Sequence, residues 1–241
     1  MALITLTSDF GEGSPYVAAM KARLLAGCPG ATLVDVSHSI RAFDVFAAAF
    51  VLWAGTRHFQ PGAVHLAVVD PGVGSSRRGV AFTLGGSWYV GPDNGLFGLV
   101  LAEAPDDETP IGVELARPAG ASPTFEGRDV FAPAAAAIAA GGHPEALGPP
   151  LSGRLTGLPA RSPCVLWVDH FGNLVTSLKP PISALRINGR EVRTVVRTFS
   201  EAPRDAPFLY VGSMGYVEIG LWRARADERL GAEPGTPIEP L

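Results

Sequence analysis

Residues 65–79 read HLAVVDPGVGSSRRG, and the first six decide the fold. His65 through Val69 run almost wholly apolar into Asp70, without polar–apolar alternation. Parallel strands covered by helices on both faces have that pattern. After Asp70 the chain passes through Pro71, Gly72 and Gly74 and reaches Ser75, Ser76, Arg77 and Arg78. In parallel α/β sheets, ligands collect beyond the carboxyl ends of the strands, which is where Asp70 stands.

Upstream, residues 3–8 form a short β-branched run that ends at Asp9. Ser14 followed by Pro15 is an N-cap with a proline at the first helical position, predicting a helix over 16–26 that stops at Gly27. Residues 32–37 read as a strand. Asp44 can cap a helix through about residue 59, apolar nearly all round and so sandwiched in the core. Downstream, 80–84 and 88–90 flank Gly85-Gly86-Ser87 as a hairpin. Asp129 reads as the N-cap of an alanine-rich helix ending at Gly141-Gly142. LGPPLSG, 147–153, reads as a stiff linker. Beyond it come short strand candidates at 164–169, 174–178, 184–187, 191–196, 207–211 and 216–221, with Asn188-Gly189 as a hairpin signal. The expected architecture is an α/β domain with a mainly parallel sheet over 1–150. A small all-β, barrel-like domain follows over 158–241.

The bulk numbers exclude some partners. The 241 residues carry a net charge of −4 and no long basic run, which argues against nucleic acid. No apolar run approaches the roughly 20 residues of a membrane span. The opening Met1-Ala2-Leu3-Ile4-Thr5 lacks the basic start of a signal peptide, and Cys28 and Cys164 have no metal-ligand spacing. A cytoplasmic protein with two buried thiols and no metal is expected.

Asp9 and Asp70 both follow strands. Each alone could cap a turn, but two carboxylates at one sheet edge point to a site. The glycine-rich stretch after Asp70 is neither a P-loop nor a dinucleotide fingerprint. An arginine seven or eight places beyond Asp70 could fold back onto it, with Arg78 read as a surface residue. GPDNGLFG, 91–98, reads as a turn opening a helix, with Asp93 or Asn94 as its cap. TFEGRDVFAP, 124–133, packs Glu126, Arg128 and Asp129 before a helix start, where Arg128 and Asp129 could pair. VDHFGNLVTS, 168–177, sets Asp169, His170 and Asn173 around a glycine. The Asn173 amide can offer a donor and an acceptor to an adenine edge. YVGSMGYVEIG, 210–220, holds Ser213 between glycines and places Glu218 on a strand.

SDFG (8–11), DVSH (35–38), VDPGVG (69–74), GPDNGL (91–96), TFEGRDVFAP (124–133), DHFGN (169–173) and SMGYVEI (213–219) follow one another in this order. Together they resemble the S-adenosyl-L-methionine hydroxide adenosyltransferase family. These are adenosine-forming SAM hydrolases related to SAM-dependent fluorinase and chlorinase. The likeness covers nearly the whole chain. It implies an α/β domain followed by a β-barrel, with SAM as substrate and no separate cofactor. It also implies a homotrimer that binds SAM between the first domain of one subunit and the second domain of the next. By position, Asp9 would hold the ribose hydroxyls and Phe43 would lie against the sugar and methionine. Asp169 would meet the methionine ammonium, Asn173 would read adenine, and Ser213, Met214 and Glu218 would belong to the same substrate-binding part. Asp70 and Arg77 match two of the family's three catalytic positions. The third, a histidine in the family, is Glu126 here.

The implied reaction is attack of water or hydroxide on ribose C5′ with methionine as leaving group. Asp70 would orient or deprotonate the water and Arg77 would hold Asp70. Glu126 adds a second carboxylate near that water. Either it joins the catalytic set, or the protein binds SAM or adenosine with little turnover. Halogenation is disfavoured: a carboxylate ~4 Å from a halide costs about 1 kcal/mol in bulk water and about 4 at an effective dielectric of 20. The related halogenases lack this aspartate.

Overall fold

The computed structural model describes residues 2–158 and 163–241, so the expected boundary between 150 and 158 is described while 159–162 is not. The chain divides into two compact units at Leu158/Pro159. The first is built on a six-stranded sheet ordered β2-β1-β3-β5-β4-β6. Its strands are β1 (Leu3–Ser8), β2 (Thr32–Ser37), β3 (Val64–Val68), β4 (Gly79–Leu84), β5 (Ser87–Pro92) and β6 (Ile111–Glu114). β2, β1, β3 and β5 are mutually parallel, whereas β4 and β6 run antiparallel to their neighbours. All five residues of β3 are buried, as its unbroken apolar character requires. From β1 the chain goes to β2 on one side, then crosses back to β3 on the other. The carboxyl ends of β1 and β3 therefore flank the switch point of the sheet, where a crevice opens. Asp9 and Asp70 stand at these two ends, beside the paired residues Ser8 and Val68.

Helices cover the sheet. α1 (Pro15–Gly27) starts where Ser14 accepts a hydrogen bond from Tyr16, and α2 (Val45–Thr56) where Asp44 accepts one from Ala47. Eight of the twelve α2 residues are buried, which accounts for its lack of a polar face. α3 (Gly98–Ala102) packs beside α2, and α4 (Ala132–Ala139) beside α1. Ile4, Leu6, Met20, Leu24, Leu66 and Phe131 anchor the core between β1, β3, α1 and α4.

Several local expectations change. Residues 147–153 do not form a linker. Their carbonyls accept hydrogen bonds from the edge of β6 (Glu114 N–H to Pro149 O, 2.9 Å; Ala116 N–H to Leu147 O, 2.9 Å), a role open to prolines because they keep their carbonyls. Arg78 is no surface residue: it pairs with Asp93 and Glu114 and donates to the Ser152 and Arg154 carbonyls, fastening this segment down. Asp93 is thereby spent, and Asn94 forms a turn onto Leu96 instead of capping α3. Asp129 is not an N-cap either. It lies inside a π-helical turn, Gly127–Phe131, that runs into α4, and accepts from Ser122 N–H while pairing with Arg128. Its hydrogen bond with Arg128 above all, helped by that from Ser122, holds the carboxyl down at about 2.

The second unit contains two antiparallel sheets. One is ordered β11 (Phe208–Val211), β12 (Val217–Gly220), β8 (Leu174–Thr176), β7 (Val165–Val168). The other is β10 (Arg190–Val192), β9 (Leu185–Ile187), β13 (Ile238–Pro240). Val165, Leu174, Leu185, Ile187, Leu209, Ile219 and Ile238 from both sheets share one core with Ala226 and Leu230 of the short helix α5 (Ala226–Leu230). The expected fold class, a mainly parallel α/β unit followed by a small all-β unit, describes what is found, with α5 and a 3-10 turn at Phe199–Glu201 as helical additions to the second.

Candidate active site

A cavity of about 310 Å³ opens at the switch point of the first unit. Asp9, Phe10, Tyr16, Phe43, Val68, Asp70, Val73, Thr124, Phe125 and Glu126 contribute to its lining. Its charged lining is wholly carboxylate: Asp9, Asp70 and Glu126. Asp9 accepts a hydrogen bond from Phe43 N–H at 2.8 Å. Phe43 takes a φ of +67° and is 70 % exposed. A bulky residue in the left-handed region is strained, and such strain clusters at binding sites. Phe10, Tyr16 and Phe125 meet edge-on or tilted, with ring centroids 5.1–5.9 Å apart, and form one wall.

The 70–77 loop folds back as its spacing allows. Gly74, at φ +78°, brings it so close to the neighbouring segment that a Cβ there would lie 2.6 Å from the Pro123 carbonyl. The return carries Arg77 onto Asp70: its Nε lies 3.0 Å from both carboxylate oxygens, and its Nη2 bonds both Asp70 and Glu126. Phe131 stacks under the guanidinium at 5.1 Å. Burial works against the charge on Arg77, but the hydrogen bonds and charges of Asp70 and Glu126 more than offset it and raise its affinity for the proton. Glu126 is 2 % exposed and sits just before the π-helical turn, whose extra residue per turn re-aims the chain there. The sequence reading missed one participant. Arg117, beyond β6, places Nε 2.8 Å from the second Glu126 oxygen and donates Nη2 to the Ser75 carbonyl at 2.7 Å. It sits in no motif, and only the fold brings it forty residues back to the loop.

The second unit holds another concavity, about 650 Å³, lined in part by Asp169, His170, Phe171, Asn173, Phe199 and Arg225. Asp169 accepts from the backbone N–H and the side-chain amide of Asn173, both at 2.8 Å. Gly172, at φ +85°, permits this turn: a Cβ would meet Asp227 at 2.6 Å. Arg225, also unforeseen, donates to the His170 carbonyl and pairs with Asp227. Ser213 and Met214 lie in the turn between β11 and β12 and do not line this concavity. Nor does Glu218, which is buried on β12 and accepts a hydrogen bond from the Tyr210 hydroxyl. Burial pushes the Glu218 carboxyl up; the Tyr210 bond works against this and the charge of Asp169 adds to it. A wider groove, about 700 Å³ along 231–237, carries among the described residues the acidic groups Asp227, Glu228 and Glu233, and Arg225 pairs with Asp227 and Glu228.

Residues 4–148 match the profile of the SAM hydroxide adenosyltransferase N-terminal domain, and residues 163–239 that of the corresponding C-terminal domain. The chain belongs to the SAM hydroxide adenosyltransferase family. It is 43% identical to a Thermus thermophilus protein named (R)-S-adenosyl-L-methionine hydrolase, over 97% of both chains. It is 29% identical to a fluorinase of an Actinoplanes species, over 90% of both. A crystal structure of an uncharacterised conserved protein from Thermotoga maritima superimposes with a TM-score of 0.87 at 28% identity, over 98% of both chains. Family membership makes the anionic cavity the place to look for a sulfonium.

Proposed function

We infer that the protein hydrolyses S-adenosyl-L-methionine to adenosine and L-methionine. The observation that carries this reading is the cluster at the switch point: Asp70 and Glu126 face one cavity while Arg77, which pairs with both, stays out of its lining. Such a wall attracts a cationic sulfonium and holds a neutral water by its hydrogens. The water oxygen attacks ribose C5′, the C5′–S bond breaks, and its electron pair leaves with methionine as a neutral thioether. Asp70 orients the water and takes its proton, which then passes to solvent, so one proton is released per turnover. Placement of the water in line with the breaking bond supplies much of the acceleration. SAM is the substrate, and the reaction calls on no separate cofactor.

By resemblance, Asp9 takes the ribose hydroxyls and Phe43 lies against the sugar. Asp169, Asn173, Ser213, Met214 and Glu218 serve the methionine and adenine ends. The two units supply half-sites that are completed between subunits of a homotrimer, in the cytoplasm, with neither nucleic acid nor membrane as partner. The name of the Thermus relative directs attention to the (R) sulfonium epimer. The test incubates purified protein with each epimer and quantifies adenosine and methionine, with chloride and fluoride in parallel. The expected result is equal amounts of the two products, faster from the (R) form, and no halogenated nucleoside. Adenosine formation no faster than with an Asp70→Ala variant would overturn the reading.

A further inference from the structure

We propose that Arg117 is a positioning residue for this reaction, acting on Glu126 and the 70–77 loop together. The proposal rests on the hydrolase reading. Charge balance motivates it. Asp70 and Glu126 are two nearly buried carboxylates, with side chains 5 % and 3 % exposed, and Arg77 alone cannot neutralise both. A buried charge left without its partner is strongly unfavourable. Arg117 brings the cluster to two carboxylates and two guanidiniums. Each Glu126 oxygen then faces its own arginine, Arg77 on one and Arg117 on the other.

Geometry adds a second role. The same guanidinium donates to the Ser75 carbonyl at 2.7 Å and the Arg77 carbonyl at 3.3 Å. These carbonyls belong to the strand of loop that delivers Arg77 to Asp70. Arg117 thus locks Glu126 and the loop to one planar group. Asp70 and Glu126 are held at a fixed separation, facing a single water. Arg117 itself is absent from the cavity lining, so it acts through other residues and does not touch substrate. Its five rigidly forked donors make this possible, whereas a lysine could serve Glu126 but not the whole set.

The experiment measures steady-state kinetics of the full chain as wild type, Arg117→Gln, Arg117→Lys, Glu126→Gln and the Arg117→Gln/Glu126→Gln double variant. Melting curves check that each folds. Arg117→Gln should lower kcat on the order of 10²-fold, the usual penalty for misplacing reacting groups, with KM little changed. Arg117→Lys should recover part of the loss. In the Glu126→Gln background, Arg117→Gln should cost several-fold less than in the wild type, because its grip on Glu126 is already gone and only its hold on the loop remains to be lost. Independent, multiplicative losses, a loss confined to KM, or a lysine variant no better than glutamine would overturn the proposal while leaving the hydrolase reading intact. Absence of turnover in the wild type would overturn both.

Discussion

The two units hold their carboxylates by different means. In the first unit, Asp70 and Glu126 are gripped by guanidiniums, and nearly every oxygen contact is an ion pair. In the second, Asp169 is held by the neutral N–H groups of Asn173, and Glu218 by the hydroxyl of Tyr210. An ion-paired cluster fixes its carboxylate oxygens in place and can hold a water between them. A carboxylate held by neutral donors leaves the place of a counter-charge to a ligand. The first arrangement suits chemistry, and the second suits binding an ammonium or an amide edge.

Charge-removing substitutions at matched positions should therefore split by kinetic parameter. Asp70→Asn keeps the volume but removes both the proposed acceptor for the water and the charge that Arg77 grips. We expect kcat to fall about 10³-fold, within the range for loss of general base catalysis, with KM within about 3-fold. Asp169→Asn should do the opposite. Losing a charged hydrogen-bond partner costs about 1.5–3 kcal/mol, so KM should rise on the order of 10²-fold with kcat nearly unchanged. The same split in both variants would dissolve the distinction between a chemical half and a binding half.

How far the sequence led depended on whether the information was local. β1, β2 and the caps of α1 and α2 coincide with the reading because Ser14, Pro15 and Asp44 act within one turn of themselves. The hairpin of β4 and β5 was readable from Gly85 and Gly86, both at positive φ. β6 went unseen, since its four residues gain strand character only from pairing with β4. Residues 147–153 were misread for the same reason: their composition says stiff, but the β6 edge they bind lies thirty residues away. Asp9, Asp70 and Glu126 were readable as candidates. Arg117 was not, because an arginine outside any motif shows its role only when the fold sets it beside Ser75 and Glu126.

The smallest effects test the comparison through pH. In the first unit, His65 on β3 is 1 % exposed, 2.9 Å from Thr5 Oγ1 and beside the rings of Phe59 and Tyr89. Burial pulls its proton affinity down from 6.5 to about 4. The unfolded chain binds that proton first, so stability is intact above pH 6.5 and is lost as pH falls towards 4, by about 2 kcal/mol at pH 5. His65→Gln should remove this acid sensitivity from the melting temperature. Glu218, in the second unit, has the opposite sign. Its carboxyl is pushed up, chiefly by burial, so its contribution is complete below its unfolded value and fades as pH rises through the folded one. Glu218→Gln keeps an acceptor for the Tyr210 hydroxyl while removing the charge. The variant should hold its melting temperature on the alkaline side better than the wild type. If Glu218→Gln instead alters only the acid side, the buried glutamate behaves like the ion-paired carboxylates of the first unit, and the contrast between the two halves fails at its most sensitive point.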